Sequence, residues 1–137
     1  MKDSIIKEKV FSHPIDKVWG AISKAEEIST WFVQADFKAK KGYQYTFHSE
    51  PNEKGCTTIS GTVKEANLYV FVYTWIVANT EVETTVTWKL ESVREGTKLH
   101  VEHSGISNYF GDTAIEMFES FNGGWDGCIN QLTDYLK

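Results

Sequence analysis

Few residues of this sequence have the types and spacing needed for acid–base or metal chemistry. The four histidines show no metal-binding spacing such as His-Glu-x-x-His. No nucleophile has a base at a recognisable spacing, and no pair of carboxylates suggests general acid–base catalysis. We therefore predict a protein without catalytic residues, without a metal site and without a cofactor.

His103 is the histidine with the strongest claim to a functional role. Alternation along its segment places it with Leu99 and Val101 on the inner face of a strand. It is either a histidine hydrogen-bonded at a rim, or a polar contact to a ligand, or a proton donor, because the ordinary pKa of histidine lies near neutrality. The last alternative implies a cyclase or hydrolase, for which the sequence names no second catalytic group.

Aromatic side chains are the other candidate functional groups, with five Trp, six Tyr and eight Phe in 137 residues. Such rings fill cores and line ligand pockets equally well. We expect Trp75, Trp88 and Trp125 to point into one space between a sheet and a helix, either as core or as the lining of a cavity. The candidate ligand-binding residues are Trp31, Phe32, Tyr45, Phe47, Tyr73, Trp75, Trp88, His103, Phe110, Phe121 and Trp125.

The segment 114–137 is predicted to be one long helix that positions several of these rings. Apolar residues recur there every three or four positions, the spacing of one helical face: Phe118, Phe121, Trp125, Cys128, Leu132 and Tyr135. Cys128 on this face is predicted to be a small buried apolar residue.

Gly123 and Gly124 stand in the middle of this helix, where each costs about 1 kcal/mol relative to alanine. They indicate either a sheet that comes very close or a space left open beside Trp125. Gly61, predicted to face inward on its strand, would remove further volume. Empty volume in a core costs roughly 24 cal/mol per Å³, so such gaps favour a cavity with a purpose.

The elements before this helix follow a clear order. Residues 5–11 are predicted to form a first strand. His13-Pro14 starts a short amphipathic helix, because proline is favoured in a first helical turn. The capping-box pattern Ser23-Lys24-Ala25-Glu26 predicts a second short helix, which ends near Trp31.

Five further segments have the alternation or the apolar composition of antiparallel strands, namely residues 43–48, 59–64, 69–77, 82–90 and 98–103. Two-residue turns at Asn79-Thr80 and Arg94-Glu95 would set the register so that Trp75 and Trp88 share the inner face. We predict a single α+β domain over residues 1–137. Its curved antiparallel sheet has six strands and wraps around the last helix, with two short helices between strands 1 and 2.

Two accessory features remain open at this level. Val70, Val72 and Ile76 would form an apolar stripe on the outer face of their strand, which is either an ordinary exposed sheet surface or a dimer or partner surface. The Ile106–Gly111 loop, with Tyr109 and Phe110, is predicted to be able to close over a cavity, as glycine-hinged loops do in other proteins.

Composition restricts location and partners. The net charge of −5 argues against a nucleic-acid interface, which needs clustered basic residues. No segment approaches the roughly 20 apolar residues of a membrane span, and no signal peptide is evident. Cys56 and Cys128 are predicted to stay unpaired, which suits a reducing compartment. We expect a cytoplasmic protein that is a monomer or a weak homodimer and binds no membrane.

Six pieces of the sequence, in this order, match a known family: Ser12–Trp19 with its Pro-x-x-x-Val-Trp pattern, Ser23–Trp31, Gly61–Glu65, Tyr73-Thr74-Trp75, Gly96–Leu99 and Gly124–Leu132. They resemble the START-like or SRPBCC superfamily, which has a helix-grip fold. The branch that they resemble most is the one named for the activator of the heat-shock-protein-90 ATPase.

The resemblance implies a function in binding. Superfamily members hold lipids, sterols, polyketides or other hydrophobic molecules between the long helix and the sheet, and some catalyse cyclisation there. The eukaryotic activator binds its chaperone with an additional N-terminal domain, which we expect this chain to lack. The leading prediction is a non-catalytic protein for a hydrophobic or aromatic ligand (lipid, polyketide or flavonoid-like). The alternatives are a chaperone-associated or stress-response adaptor, and a cyclase or hydrolase.

Overall fold

An antiparallel sheet and one long helix carry the fold. The computed structural model describes residues 4–32, 34–48, 58–77, 80, 82–109 and 111–136. In chain order its helices and strands are β1 (Ile5–Phe11), α1 (Ile15–Ser23), α2 (Ala25–Trp31), β2 (Gln34–Asp36), β3 (Gln44–His48), β4 (Thr58–Asn67), β5 (Val70–Val77), β6 (Glu83–Val93), β7 (Gly96–Ser104) and α3 (Gly111–Leu136). One turn of 3-10 helix, Ile106–Asn108, precedes α3.

The strands form a single sheet in the order β1-β7-β6-β5-β4-β3-β2. Within the described residues it has seven strands rather than the predicted six, because Gln34–Asp36 adds an edge strand beside β3. Three residues are too few to show an alternation in the sequence. The two short helices lie between β1 and β2, as predicted. A curved antiparallel sheet with a long C-terminal helix is the predicted α+β helix-grip arrangement.

The register of the central strands agrees with the predicted turn lengths. Trp88 lies opposite Phe71, and Leu90 lies opposite Leu99. Asn79, half of the first predicted turn, lies outside the described residues. The large rings of β5 and β6 consequently share one face of the sheet, where they are buried.

Helix α3 covers this inner face. It begins at Gly111 rather than at Ala114 and continues without interruption through the two central glycines. Its buried side chains are Ala114, Phe121, Trp125, Cys128, Ile129, Leu132 and Leu136. An ion pair of 2.9 Å between Lys7 of β1 and Asp126 adds a contact at the partly exposed edge of the interface.

The predicted capping box of α2 is not formed. Ser23 is the last residue of α1, and its hydroxyl donates a hydrogen bond to the carbonyl of Trp19 (2.5 Å). Lys24 is the N-cap of α2, with extended backbone and no side-chain hydrogen bond. A single residue joins the two helices, so Ser23 stays helical and does not adopt the extended conformation that an N-cap needs.

Gly61 does not line the cavity between the sheet and α3, contrary to the prediction. A Cβ atom at this position would overlap the carbonyl oxygen of Thr74. The hydroxyl of Thr74 also accepts a hydrogen bond from the N–H of Thr62 (2.8 Å), and the register between β4 and β5 shifts between Val63 and Glu65. Glycine is therefore required here by the close approach of β5, two residues before the register shift begins.

Substitutions at Gly61 and Gly123 should change stability in opposite directions. Gly61→Ala is expected to lower the free energy of unfolding by about 2 kcal/mol or more, because the new methyl group overlaps a backbone carbonyl. Gly123→Ala should raise it by about 1 kcal/mol, because no described atom lies within 4 Å of the place that the added methyl group would take on the helix. Urea denaturation of the two variants measures both effects, and a neutral Gly61→Ala would contradict the packing described here.

Candidate functional site

An apolar cleft of about 230 Å³ lies between α3 and the adjoining ends of β4 and β5. Ile59, near the start of β4, pairs with Val77 at the end of β5, and Phe32 follows directly after α2. The complete lining is Phe32, Ile59, Trp75, Val77, Ser120, Phe121, Gly124 and Trp125. This volume is close to the lower end of the range of small-molecule sites, about 300–1,000 Å³.

The cleft is open because α3 carries no side chain where it stands away from the sheet. Apart from the adjoining residues and the backbone of the helix itself, no described atom lies within 4 Å of the position that a Cβ would take at Gly124 or Gly123. Both glycines are exposed, and Gly124 forms part of the lining. Of the two alternatives for this glycine pair, a close sheet and an open space, the geometry is that of the open space. The space is a cleft at one side of the helix, whereas the centre of the interface is filled.

Aromatic rings form the inner wall of the cleft. The ring of Trp75 lies 5.4 Å from that of Trp125 and 6.2 Å from that of Phe121, measured between centroids. Trp88 packs behind them, 5.6 Å from Trp125 in a T-shaped arrangement. The three tryptophans predicted to meet between sheet and helix do so, two of them at the cleft and one behind it.

His103 lies behind this wall, and its side chain connects α3 to the sheet. The indole N–H of Trp125 donates to its Nδ1 (3.0 Å), and its Nε2 lies 2.6 Å from the hydroxyl of Thr84. Because an indole nitrogen only donates, Nδ1 must be the acceptor and the ring proton sits on Nε2. The hydroxyl of Thr84 in turn donates to the carbonyl of Trp75 (3.2 Å).

The surroundings of His103 give it a pKa well below the near-neutral value expected from the sequence. The side chain is 0% exposed and stacks on Phe121 with 4.5 Å between ring centroids. Burial lowers its pKa to about 4, so the ring is neutral at physiological pH. Protonation would also set an N–H on Nδ1 against the indole N–H of Trp125. His103 does not line the cleft.

The remaining predicted site residues lie at several depths. Phe32, Trp75, Phe121 and Trp125 line the cleft. Four others surround an internal void of only about 10 Å³, too small for more than one water molecule: Trp31, Phe47, Tyr73 and Trp88. Tyr45 is buried at the close approach near Gly61, where its hydroxyl donates to the carbonyl of Thr74 (2.5 Å). Phe110 lies outside the described residues.

Four lining residues were not predicted from the sequence, namely Ile59, Val77, Ser120 and Gly124. Gly124 carried a usable signal, since its position in the helix already indicated open space. The pairing of Ile59 with Val77 depends on the register shift in β4, for which the residue pattern gives no sign.

The loop before α3 is anchored where the structure describes it. Ile106 and Tyr109 are both buried, and the Tyr109 ring lies 6.3 Å from that of Phe121. Movement of this loop as a lid remains a prediction.

The buried thiol of Cys128 behaves as a core atom. It is unpaired, and burial raises its pKa above the ordinary value of a cysteine. Cys56 lies outside the described residues.

Across the described part of the chain, no group of His, Cys, Asp and Glu side chains is arranged to hold a metal ion. No helix there is long and apolar enough to cross a membrane.

Residues 12–137 match the family described as Activator of Hsp90 ATPase homolog 1-like protein. The chain belongs to this family. The match confirms the resemblance seen in the ordered motifs and, with the fold, places the chain in the START-like superfamily. A comparison with curated proteins gives no match.

Several solved structures are similar to this chain in fold. Protein MLL2253 from Mesorhizobium loti is 24% identical, with a TM-score of 0.82 over 97% of this chain and 96% of that one. Protein BH1534 from Bacillus halodurans is 25% identical, with a TM-score of 0.77 over 98% and 96% of the two chains. DynU16, a protein in the dynemicin biosynthetic locus, is 19% identical with a TM-score of 0.82; the match covers 99% of this chain but 48% of DynU16.

Burial of His103 predicts a pH-dependent stability. Its folded-state pKa of about 4 lies below the unfolded value of 6.5, so the unfolded chain takes up the proton first. The stabilisation is therefore complete above about pH 6.5 and declines as the pH falls toward 4, by about 2 kcal/mol between pH 7.5 and pH 5.

Chemical denaturation of wild type and His103→Gln at these two pH values isolates this effect. The stability difference between the two proteins should shrink by about 2 kcal/mol at the lower pH. Parallel pH curves for wild type and His103→Gln would show that His103 is not buried as a neutral ring.

Proposed function

We propose that this family member is a non-catalytic binding protein that holds a small hydrophobic or aromatic molecule in the cleft between the sheet and α3. The proposal depends on one observation, the apolar cleft. Aromatic rings and two aliphatic side chains line this cleft, and it is open beside Gly124. The proposed ligand classes are lipids, polyketides and flavonoid-like compounds. The place of DynU16 in a biosynthetic locus supports a small organic molecule as ligand.

The chemistry of the lining supports binding without turnover. None of the eight lining residues is acidic, basic or a cysteine, and Ser120 supplies a hydroxyl. His103 and Cys128 are sealed in the core, and burial disfavours the charged form of each. A cyclase or hydrolase needs a proton donor or acceptor within reach of the substrate, so this alternative has less support from the described residues.

The adaptor alternative rests on the family description and on the outer face of the sheet. Ile6 and Val10 on the edge strand β1 are 53% and 46% exposed, whereas Val70, Val72 and Ile76 are half-buried. A chaperone partner, a weak homodimer and a cytoplasmic location remain predictions. Ile6→Ser with Val10→Ser would weaken a partner on this face and leave the cleft intact.

Filling the cleft from the helix tests the binding proposal directly. Gly124→Leu places a side chain in the cleft, so the affinity for the neutral apolar fluorophore N-phenyl-1-naphthylamine should fall by about tenfold or more. Gly123→Leu is the matched control, since it adds the same side chain one position away without lining the cleft. Fluorescence titration measures both affinities.

Equal affinities of the two leucine variants would contradict this site. Both variants should remain folded, because leucine is a better helix former than glycine and neither position has a described atom within 4 Å of an added Cβ. Thermal denaturation checks this point. Wild-type protein that gives no fluorescence change with the fluorophore, and no NMR shift at Ile59 or Val77 with other apolar compounds, would contradict the function itself.

A further inference from the structure

One side chain is shared by the open cleft and the small void in the core. Phe32 lines both spaces, and no other described residue does so. Its half-buried ring stacks on Trp31 with 5.2 Å between centroids and meets Phe47 in a T-shaped arrangement at 6.1 Å. Trp31 and Phe47 belong to the lining of the void. The ring of Phe32 therefore stands between the cleft and the aromatic interior.

The void behind Phe32 is apolar. Every described residue that lines it is aliphatic or aromatic, and its two indole N–H groups both donate to other groups of the protein. A space of about 10 Å³ with such a lining stays dry and is too small for a ligand. It can be extended only by hydrocarbon, and only where the ring of Phe32 no longer separates it from the cleft.

Packing alone holds the ring of Phe32 in this place. The residue follows α2 directly, and its backbone N–H donates to the carbonyl of Ile28 (2.9 Å). Trp31, on which the ring stacks, is fixed by a hydrogen bond of 2.7 Å from its indole to the carbonyl of Ala21. Truncation of the Phe32 side chain consequently breaks no hydrogen bond and leaves its neighbour anchored.

We propose that Phe32 closes the inner end of the cleft and thereby limits its ligand to a short apolar molecule, a medium-length alkyl or acyl chain or a small ring system. This inference rests on the proposed function and narrows it. A cleft of about 230 Å³ cannot enclose a long-chain lipid or a sterol, which would leave much of its apolar surface in water. Phe32 is thus a residue that determines specificity through the size of the site.

A series of straight-chain alcohols from 1-hexanol to 1-dodecanol measures this limit by displacement of N-phenyl-1-naphthylamine. Each methylene group that enters apolar space raises the affinity about fourfold. In the wild-type protein this gain should level off before 1-dodecanol, because further methylene groups extend from the open cleft into water. In Phe32→Ala the gain should continue for about three more methylene groups, so that 1-dodecanol binds about tenfold more tightly or better.

Phe37→Ala is the matched control. Phe37 is buried and lines the void but not the cleft, so the same truncation enlarges the void behind an intact Phe32. The alcohol series of this variant should level off at the wild-type chain length. Thermal denaturation checks that both variants are folded, and Phe32→Val with Phe37→Val is the replacement pair if an alanine variant is not.

Methyl groups on the two sides of Phe32 give a second readout. Ile59 and Val77 line the cleft, whereas Ile22 and Ile28 line the void. In the wild-type protein, intermolecular NOEs from the alkyl chain of 1-decanol should reach the cleft methyl groups only. In Phe32→Ala they should reach the void methyl groups as well.

The outcomes separate the size limit from the binding function. If the wild-type protein binds the alcohols but its affinity still rises fourfold per methylene group at 1-dodecanol, or if Phe32→Ala levels off with the wild type, the limit set by Phe32 is wrong and the binding function stands. An equal extension in Phe37→Ala would also overturn the role of Phe32. If no alcohol binds the wild-type protein and the cleft methyl groups show no NOE, the size limit and the apolar binding function are contradicted together.

Discussion

The approach of α3 to the sheet is fixed by a chain of buried hydrogen bonds that runs from Trp125 through His103 and Thr84 to the carbonyl of Trp75. Every hydrogen bond in this chain can be donated in only one direction, because the chain begins at an indole N–H, which only donates, and ends at a carbonyl oxygen, which only accepts. The chain therefore requires a neutral His103, and burial keeps it neutral. A hydrogen-bonded network of this kind specifies one arrangement of helix and sheet more narrowly than apolar packing alone.

The cleft follows from where this connection lies along α3. At Trp125 the helix is held close to β5, β6 and β7 by tilted and T-shaped ring contacts and by the hydrogen bond to His103, and this part of the interface is filled. At Gly124 the helix has no side chain to close the distance to Ile59 and Val77. Neighbouring residues of one helix thus have opposite roles: the indole fixes the position of the helix, and the glycine leaves room beside it.

Periodicity and turn length were sufficient to predict the strands β5, β6 and β7, their register and the meeting of three tryptophans, because each depends on local alternation and short connections. The features that could not be predicted depend on contacts between segments distant in sequence. The register shift in β4 decides that Ile59 meets Val77, and the close approach of Thr74 decides that Gly61 adds no space between the sheet and α3. His103 was placed on the correct face, but its pKa depends on burial that alternation does not measure. The aromatic residues that line the cleft were therefore predicted from the sequence, whereas the aliphatic residues Ile59 and Val77 were not.

The central claim is that the free space between sheet and helix lies beside Gly124 and not within the ring cluster around His103. Xenon tests this most directly, since it enters apolar space without any hydrogen bond and reports on volume alone. In a xenon titration followed by methyl NMR, the largest shifts should occur at Ile59 and Val77, with little change at Leu99 and Val101 of the filled interface. Shifts concentrated at Leu99 and Val101, or no shift at Ile59 and Val77, would contradict this claim.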